Sequence, residues 1–121
     1  MFGEVFICQF PFTSGTGSKI RPALVLFDLQ QDAVICRVTS VSRTGMLDVT
    51  LNDWQAAGLL KPSVARLDRL VTAEKTVFLR RLGVLSAADL AAVRAALRQA
   101  VILVRPVLRI RLRRSHRRNH Q

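Results

Sequence analysis

Six short apolar runs, rich in β-branched and aromatic residues and each stopped by proline, glycine or a polar cluster, fill most of the first 82 residues and commit this chain to a sheet. Glu4-Val5-Phe6-Ile7-Cys8-Gln9-Phe10 halts at Pro11. Arg21 to Asp28 and Ala33 to Thr39 are joined by Leu29-Gln30-Gln31-Asp32 and are expected to pair as a hairpin. Leu47-Asp48-Val49-Thr50-Leu51 alternates apolar and polar, the pattern of a strand with one face in the core. Ser63 to Leu70 and Thr76 to Leu82 complete the set, and Gly83 breaks the last run. Strands this short and this close together predict a small barrel.

Two helices are expected beside it. Asp53-Trp54-Gln55-Ala56-Ala57-Gly58 carries a capping residue at its start and glycine at its end, which predicts one or two helical turns, and Lys61-Pro62 forbids continuation. Ser86-Ala87-Ala88-Asp89 is a capping box opening one long helix, whose Leu90, Val93, Leu97, Val101 and Val104 recur at helical spacing as a stripe against the barrel. Pro106 ends it. The expected class is therefore mainly β with α, one domain over residues 1–104.

Charge divides the chain unevenly. The net charge is +11, yet from Arg105 onward there are seven arginines and no acidic residue, which leaves 12 basic and 8 acidic residues, a net +4, in residues 1–104. Residues 105–121 read as a disordered basic extension, and the excess points to a polyanionic partner such as nucleic acid. A membrane-surface reading fits less well, because Leu108, Ile110 and Leu112 alternate with arginines at a strand period rather than forming an amphipathic helix. Met1-Phe2-Gly3-Glu4-Val5 has no signal-peptide pattern and the longest apolar stretch is too short to span a bilayer, so a cytoplasmic location is expected. Cys8 and Cys36 sit in apolar runs and are expected to be reduced core residues, with no zinc spacing.

The available chemistry is narrow. Both histidines, His116 and His120, lie in the extension, and there is no tyrosine, so acid-base work in the body falls to carboxylates, hydroxyls and arginine. Scattered single carboxylates exclude most metal sites. The glycine-rich loop Gly15-Thr16-Gly17-Ser18-Lys19-Ile20-Arg21-Pro22 delivers Arg21 to a strand start, and Pro22 holds it extended, an arrangement suited to phosphate. Val64-Ala65-Arg66-Leu67-Asp68 places Arg66 and Asp68 on one strand face with Ala65 and Leu67 on the other. Asp68 is thereby a candidate base and Arg66 a candidate anion stabiliser; the plainer alternative is an exposed ion pair. Val38-Thr39-Ser40 ends a strand in two hydroxyls, and Trp54 reads as a core anchor.

Taken together, Gly3-Glu4-Val5, Phe10-Pro11-Phe12-Thr13, Lys19-Ile20-Arg21-Pro22-Ala23, Arg37-Val38-Thr39-Ser40 and Val64-Ala65-Arg66-Leu67-Asp68 resemble the MazF/PemK family of type II toxins, the sequence-specific endoribonucleases called mRNA interferases. Asp53 to Ser63 resembles the PemK-like subgroup in particular. The resemblance runs from about Gly3 to about Arg98. It implies an SH3-like barrel of the MazF/CcdB type, a homodimer, and a cognate antitoxin that lays an acidic segment across the RNA groove. It implies Arg21, Thr39, Arg66 and Asp68 as catalytic residues, with Ser18, Lys19, Arg37 and Ser40 binding RNA and base recognition set by loops 13–20 and 41–46. The implied reaction needs no metal or cofactor: a base takes the 2′-hydroxyl proton, that oxygen attacks the adjacent phosphorus, and the 5′-oxygen leaves.

Two departures stand out. Some PemK-type relatives carry a loop histidine where this chain reads Ser14-Gly15-Thr16-Gly17-Ser18, and family members usually stop near the end of the long helix, before a stretch such as Arg109 to Arg118. Two other classes of function stay open at this point: a catalytically silent nucleic-acid-binding module, whose affinity would fall steeply with salt, and a CcdB-like gyrase poison on the same fold.

Overall fold

The computed structural model describes residues 1–10 and 19–102. The glycine-rich loop with Ser18, the positions Val104 and Pro106, and the arginine-rich extension lie outside the described residues. Six strands, β1 (Glu4–Phe10), β2 (Lys19–Leu29), β3 (Asp32–Thr39), β4 (Asp48–Leu51), β5 (Ser63–Glu74) and β6 (Phe78–Val84), form one antiparallel sheet in the order β4-β5-β3-β2-β1-β6. A single turn of 3-10 helix, Lys75–Val77, links β5 to β6, and helix α1 occupies residues 87–102. No described helix is long and apolar enough to cross a membrane.

The sheet buries side chains on both faces, which is why the central strands lack a clean polar alternation. In β2, Leu24 and Leu26 enter one apolar cluster while Ala23 and Val25 enter another. The first cluster unites Val49 and Leu51 of β4 with Leu82 of β6, although these strands are the two edges of the sheet, so the sheet curls into a small barrel. The buried Val93 of α1 joins the same cluster, with Leu90 and Leu97 packed against it. The second cluster is covered by Phe6 and Phe78, whose rings stack with centroids 4.5 Å apart.

Both cysteines are free and buried, as the sequence predicts. Desolvation by burial pushes the Cys8 and Cys36 thiols up to about 12, so the reactive thiolate is scarce at neutral pH. The folded protein is expected to leave a thiol reagent unreacted at pH 8 and to release two equivalents in denaturant; rapid labelling of the folded chain would contradict this packing.

The expected short helix at 53–58 is not formed. Residues 52–58 are a series of turns, in which Gly58 N donates to Gln55 O at 3.0 Å and Leu59 N to Trp54 O at 3.1 Å. A stretch of so few residues, closed by Gly58 at φ +80, makes too few helical bonds to offset the cost of nucleation. Its start is held instead from 36 residues away, where the buried Asp89 carboxylate of α1 accepts from Asn52 N at 3.1 Å and Asp53 N at 2.9 Å. Ser86 Oγ donates to Asp53 Oδ2 at 2.6 Å and accepts from Asp89 N at 3.2 Å. Half of the expected capping box is therefore present, but Asp89 spends its oxygens on the turn rather than on its own helix end. The stripe on α1 also stops early, since Val101 is exposed.

Candidate active site

Ala23 of β2 pairs with Arg37 of β3, and Ile7 of β1 pairs with both Pro22 of β2 and Arg80 of β6. These registers bring Arg21, Pro22, Arg37, Val38, Thr39, Ile7 and Arg80 to one end of the sheet. The turn after β4 closes over that end. Gly58 has φ +80, and a Cβ placed on it would collide with the Leu82 carbonyl oxygen. Only glycine meets both conditions, the left-handed backbone and the close approach. Gly58→Ala is expected to destabilise the fold by about 2 kcal/mol, lowering Tm by roughly 10 °C; an unchanged melting curve would show that the turn relaxes freely.

Between the turn and the sheet lies a cleft of about 420 Å³, walled by Arg21, Arg37, Thr39, Ser40, Lys61 and Arg80 among its polar residues and by Ile7, Pro22, Val38, Leu59, Leu60 and Leu82 among its apolar ones. Among the described residues no carboxylate lines it. Thr39 Oγ1 accepts from Val41 N at 3.2 Å, which fixes the strand end and leaves the hydroxyl proton to donate.

Arg37 is the electrostatic centre. Burial, and then the charges of Arg21, Arg66, Arg69 and Arg43, hold its guanidinium pKa below the usual arginine value. Arg37 and Arg66 are opposite each other across β3 and β5, and the Nε of each is buried without a hydrogen-bond partner. Two carboxylates stand near these five guanidinium groups. Asp68 Oδ2 lies 3.4 Å from Arg66 Nη2, and the Asp48 side chain accepts from Gly45 N at 2.8 Å and from Arg43 Nε at 3.4 Å. The local excess of positive charge is what a bound anion would neutralise.

Most of the sequence-predicted residues converge. Arg21, Arg37, Thr39 and Ser40 share the cleft; Arg66 adjoins it through Arg37, and Asp68 through Arg66. Arg66 is buried, 9 % exposed, which rules out the simple exposed pair for that partner, whereas the Asp68 side chain is 43 % exposed and does not line the cleft. Lys19 is exposed at the start of β2, opposite Phe10, and is not on the cleft wall; Ser18 lies outside the described residues. Lys61 and Arg80 were not legible as site residues, because a turn lysine and a strand arginine carry no local sign that the barrel brings them together. Arg43 and Arg69 were missed likewise. Among the described residues no group of three histidine, cysteine, aspartate or glutamate side chains converges as a metal site.

The family model described as PemK-like, MazF-like toxin of type II toxin-antitoxin system matches residues 1–101. Solved structures share the fold. The Mycobacterium tuberculosis toxin MazF-mt6 superposes with a TM-score of 0.64 at 23 % identity, covering 77 % of this chain and 90 % of that one. A mycobacterial endoribonuclease solved in complex with its cognate antitoxin gives a TM-score of 0.66 at 23 % identity over 85 % and 95 % of the two chains. MazF from Deinococcus radiodurans gives 0.64 at 24 % identity over 82 % and 93 %. In the comparison with curated proteins no sequence matches.

Proposed function

Because the chain belongs to the PemK-like, MazF-like toxins of type II toxin-antitoxin systems, we propose that it is a sequence-specific endoribonuclease that cuts single-stranded RNA without a metal. The observation that carries this reading is Arg37: a half-buried, incompletely paired guanidinium among four others, beside a cleft that offers donors and, among the described residues, no carboxylate. Such a site is preorganised for a phosphate that gains negative charge as it becomes a phosphorane. Arg21 and Arg37 contact the phosphate from β2 and β3. Thr39 donates one hydrogen bond, and Arg66 adds its field from β5. Asp68, held by Arg66 beside the cleft rather than in its wall, takes the 2′-hydroxyl proton through one bridging water, and the 5′-oxygen that leaves is protonated from solvent. Arginine stays protonated throughout, so its part is electrostatic. Lys19, Ser18 and Ser40 contact the flanking strand.

The toxin is neutralised by a cognate antitoxin whose acidic segment competes with RNA for the same arginines, and it acts as a cytoplasmic homodimer. The mycobacterial relative solved with its antitoxin supports a partner of this kind. The test is incubation of a long single-stranded RNA with the purified chain in excess EDTA. Cuts recurring at one short sequence are expected. RNA that is bound in a salt-sensitive manner but left intact would overturn the nuclease reading in favour of a silent binding module.

A further inference from the structure

We infer that the part of the cleft between β6 and the turn after β4 is a base-selective nucleotide pocket, with Leu60 as its selecting wall and Arg80 and Lys61 as its phosphate contacts; this rests on the nuclease reading of the same site. The resemblance assigned base recognition to loops 13–20 and 41–46, and neither Leu60 nor Arg80 lies in them. The registers define the floor. Ile7 is flanked by Pro22 on one side and Arg80 on the other, and Val38 follows Arg37 at the adjacent strand end. Ile7, Pro22 and Val38 make this part of the cleft apolar, and it continues toward Arg21 and Arg37, which hold the scissile phosphate in this reading.

The turn provides the opposite wall. Leu59 is anchored in the core, 7 % exposed, while its neighbour Leu60 is 92 % exposed although both line the cleft. Leu60 therefore buries little surface in the fold, and as a residue of the cleft wall it leaves that surface open to a ligand in the cleft. The wall is rigid, because Gly58 closes on the Leu82 carbonyl and Asp89 holds Asn52 and Asp53. Lys61 and Arg80 add two cations on a rim that, among the described residues, carries no carboxylate. The whole cleft, its arginine end included, is about 420 Å³, toward the small end of the ~300–1,000 Å³ range of ligand pockets, so it admits about one nucleotide and not a duplex. Shape, apolar walls and charge together specify one unpaired nucleotide next to the cut.

The test has two arms. In the first, leucine-methyl NMR follows titration with each of the four nucleoside 3′-monophosphates; the Leu60 and Leu82 methyls are expected to shift with one base at far lower concentration than with the others. In the second, cut sites on a long RNA are mapped for wild type, Leu60→Ala and Arg80→Ala, both surface positions whose replacement leaves the core intact. Leu60→Ala is expected to flatten base preference at one position by about tenfold. Arg80→Ala is expected to slow all cuts about tenfold without altering their preference. No methyl shift together with an unchanged preference in Leu60→Ala overturns the pocket even if wild type cuts RNA. Base-selective shifts without any cleavage keep the pocket and overturn the nuclease.

Discussion

Arg21→Ala is expected to cut RNA about 100- to 1,000-fold more slowly than wild type while melting no earlier. The two halves of this expectation share one cause. Arg21 lines the cleft, and its charge is among those that hold the Arg37 pKa down, so wild type bears a repulsion that the substrate phosphate relieves. Removing Arg21 takes away transition-state stabilisation and native-state repulsion together. Arg21→Lys separates charge from shape: it keeps the cation but loses the planar fork, and about a tenfold loss is expected. Asp68→Asn reports on the base. It preserves the size of the side chain beside Arg66 while removing proton affinity, so a large loss of rate with an unchanged melting curve is expected. A fall in both Tm and rate on Arg21→Ala would recast the cluster as a structural network.

The second large effect is on stability. Asp89→Ala leaves Asn52 N and Asp53 N without their carboxylate and strands a buried site, because Asp89 itself is 1 % exposed. The expected loss is about 2–3 kcal/mol, a Tm fall of roughly 10–20 °C for a domain of this size. The turn that Asp89 anchors also walls the cleft, so Asp89→Asn is the more informative variant: one amide oxygen can still accept, and a smaller loss of stability with loosened base preference is expected. Differential scanning calorimetry of both variants checks the ranking. Equal, negligible shifts would show that water replaces the carboxylate at no cost.

The strands were legible because their signals are local: β-branched runs, Pro11 after the first run, and polar residues between β2 and β3. Gly83, expected to break the last run, instead lies inside β6, where it pairs with Val5 and the strand continues to Val84. Phe10, Asp28 and Thr39 each fall within a residue or so of an observed strand end. The extension of β5 to Glu74 was not legible. Thr72 is β-branched but Ala73 and Glu74 have no strand signal of their own, and all three are ordered by pairing with Val34, Ala33 and Asp32 of β3. The turns that stand in place of the expected helix at Asp53 likewise lean on a distant partner, the Asp89 carboxylate of α1 that accepts from Asn52 N and Asp53 N. In the site, Arg21 and Thr39 were readable because proline and the strand end set their directions. Arg66 was readable from period two, although its burial was not, since that depends on Arg37 and Asp48 flanking it on neighbouring strands. Arg80 and Lys61 enter only through closure of the barrel, which no single segment encodes.

The measurement that tests the central claim most directly uses a single chemical group on the substrate. Once the preferred cut site is mapped, a matched RNA carrying 2′-deoxyribose at the one nucleotide 5′ to the cut removes the proposed nucleophile and leaves every phosphate contact in place. The deoxy-substituted strand is predicted to bind with unchanged affinity and to resist cleavage, while the all-ribose strand yields a 2′,3′-cyclic or 3′-phosphate and a 5′-hydroxyl. Cleavage of both strands at the same rate, with a 5′-phosphate on the product, would contradict the account.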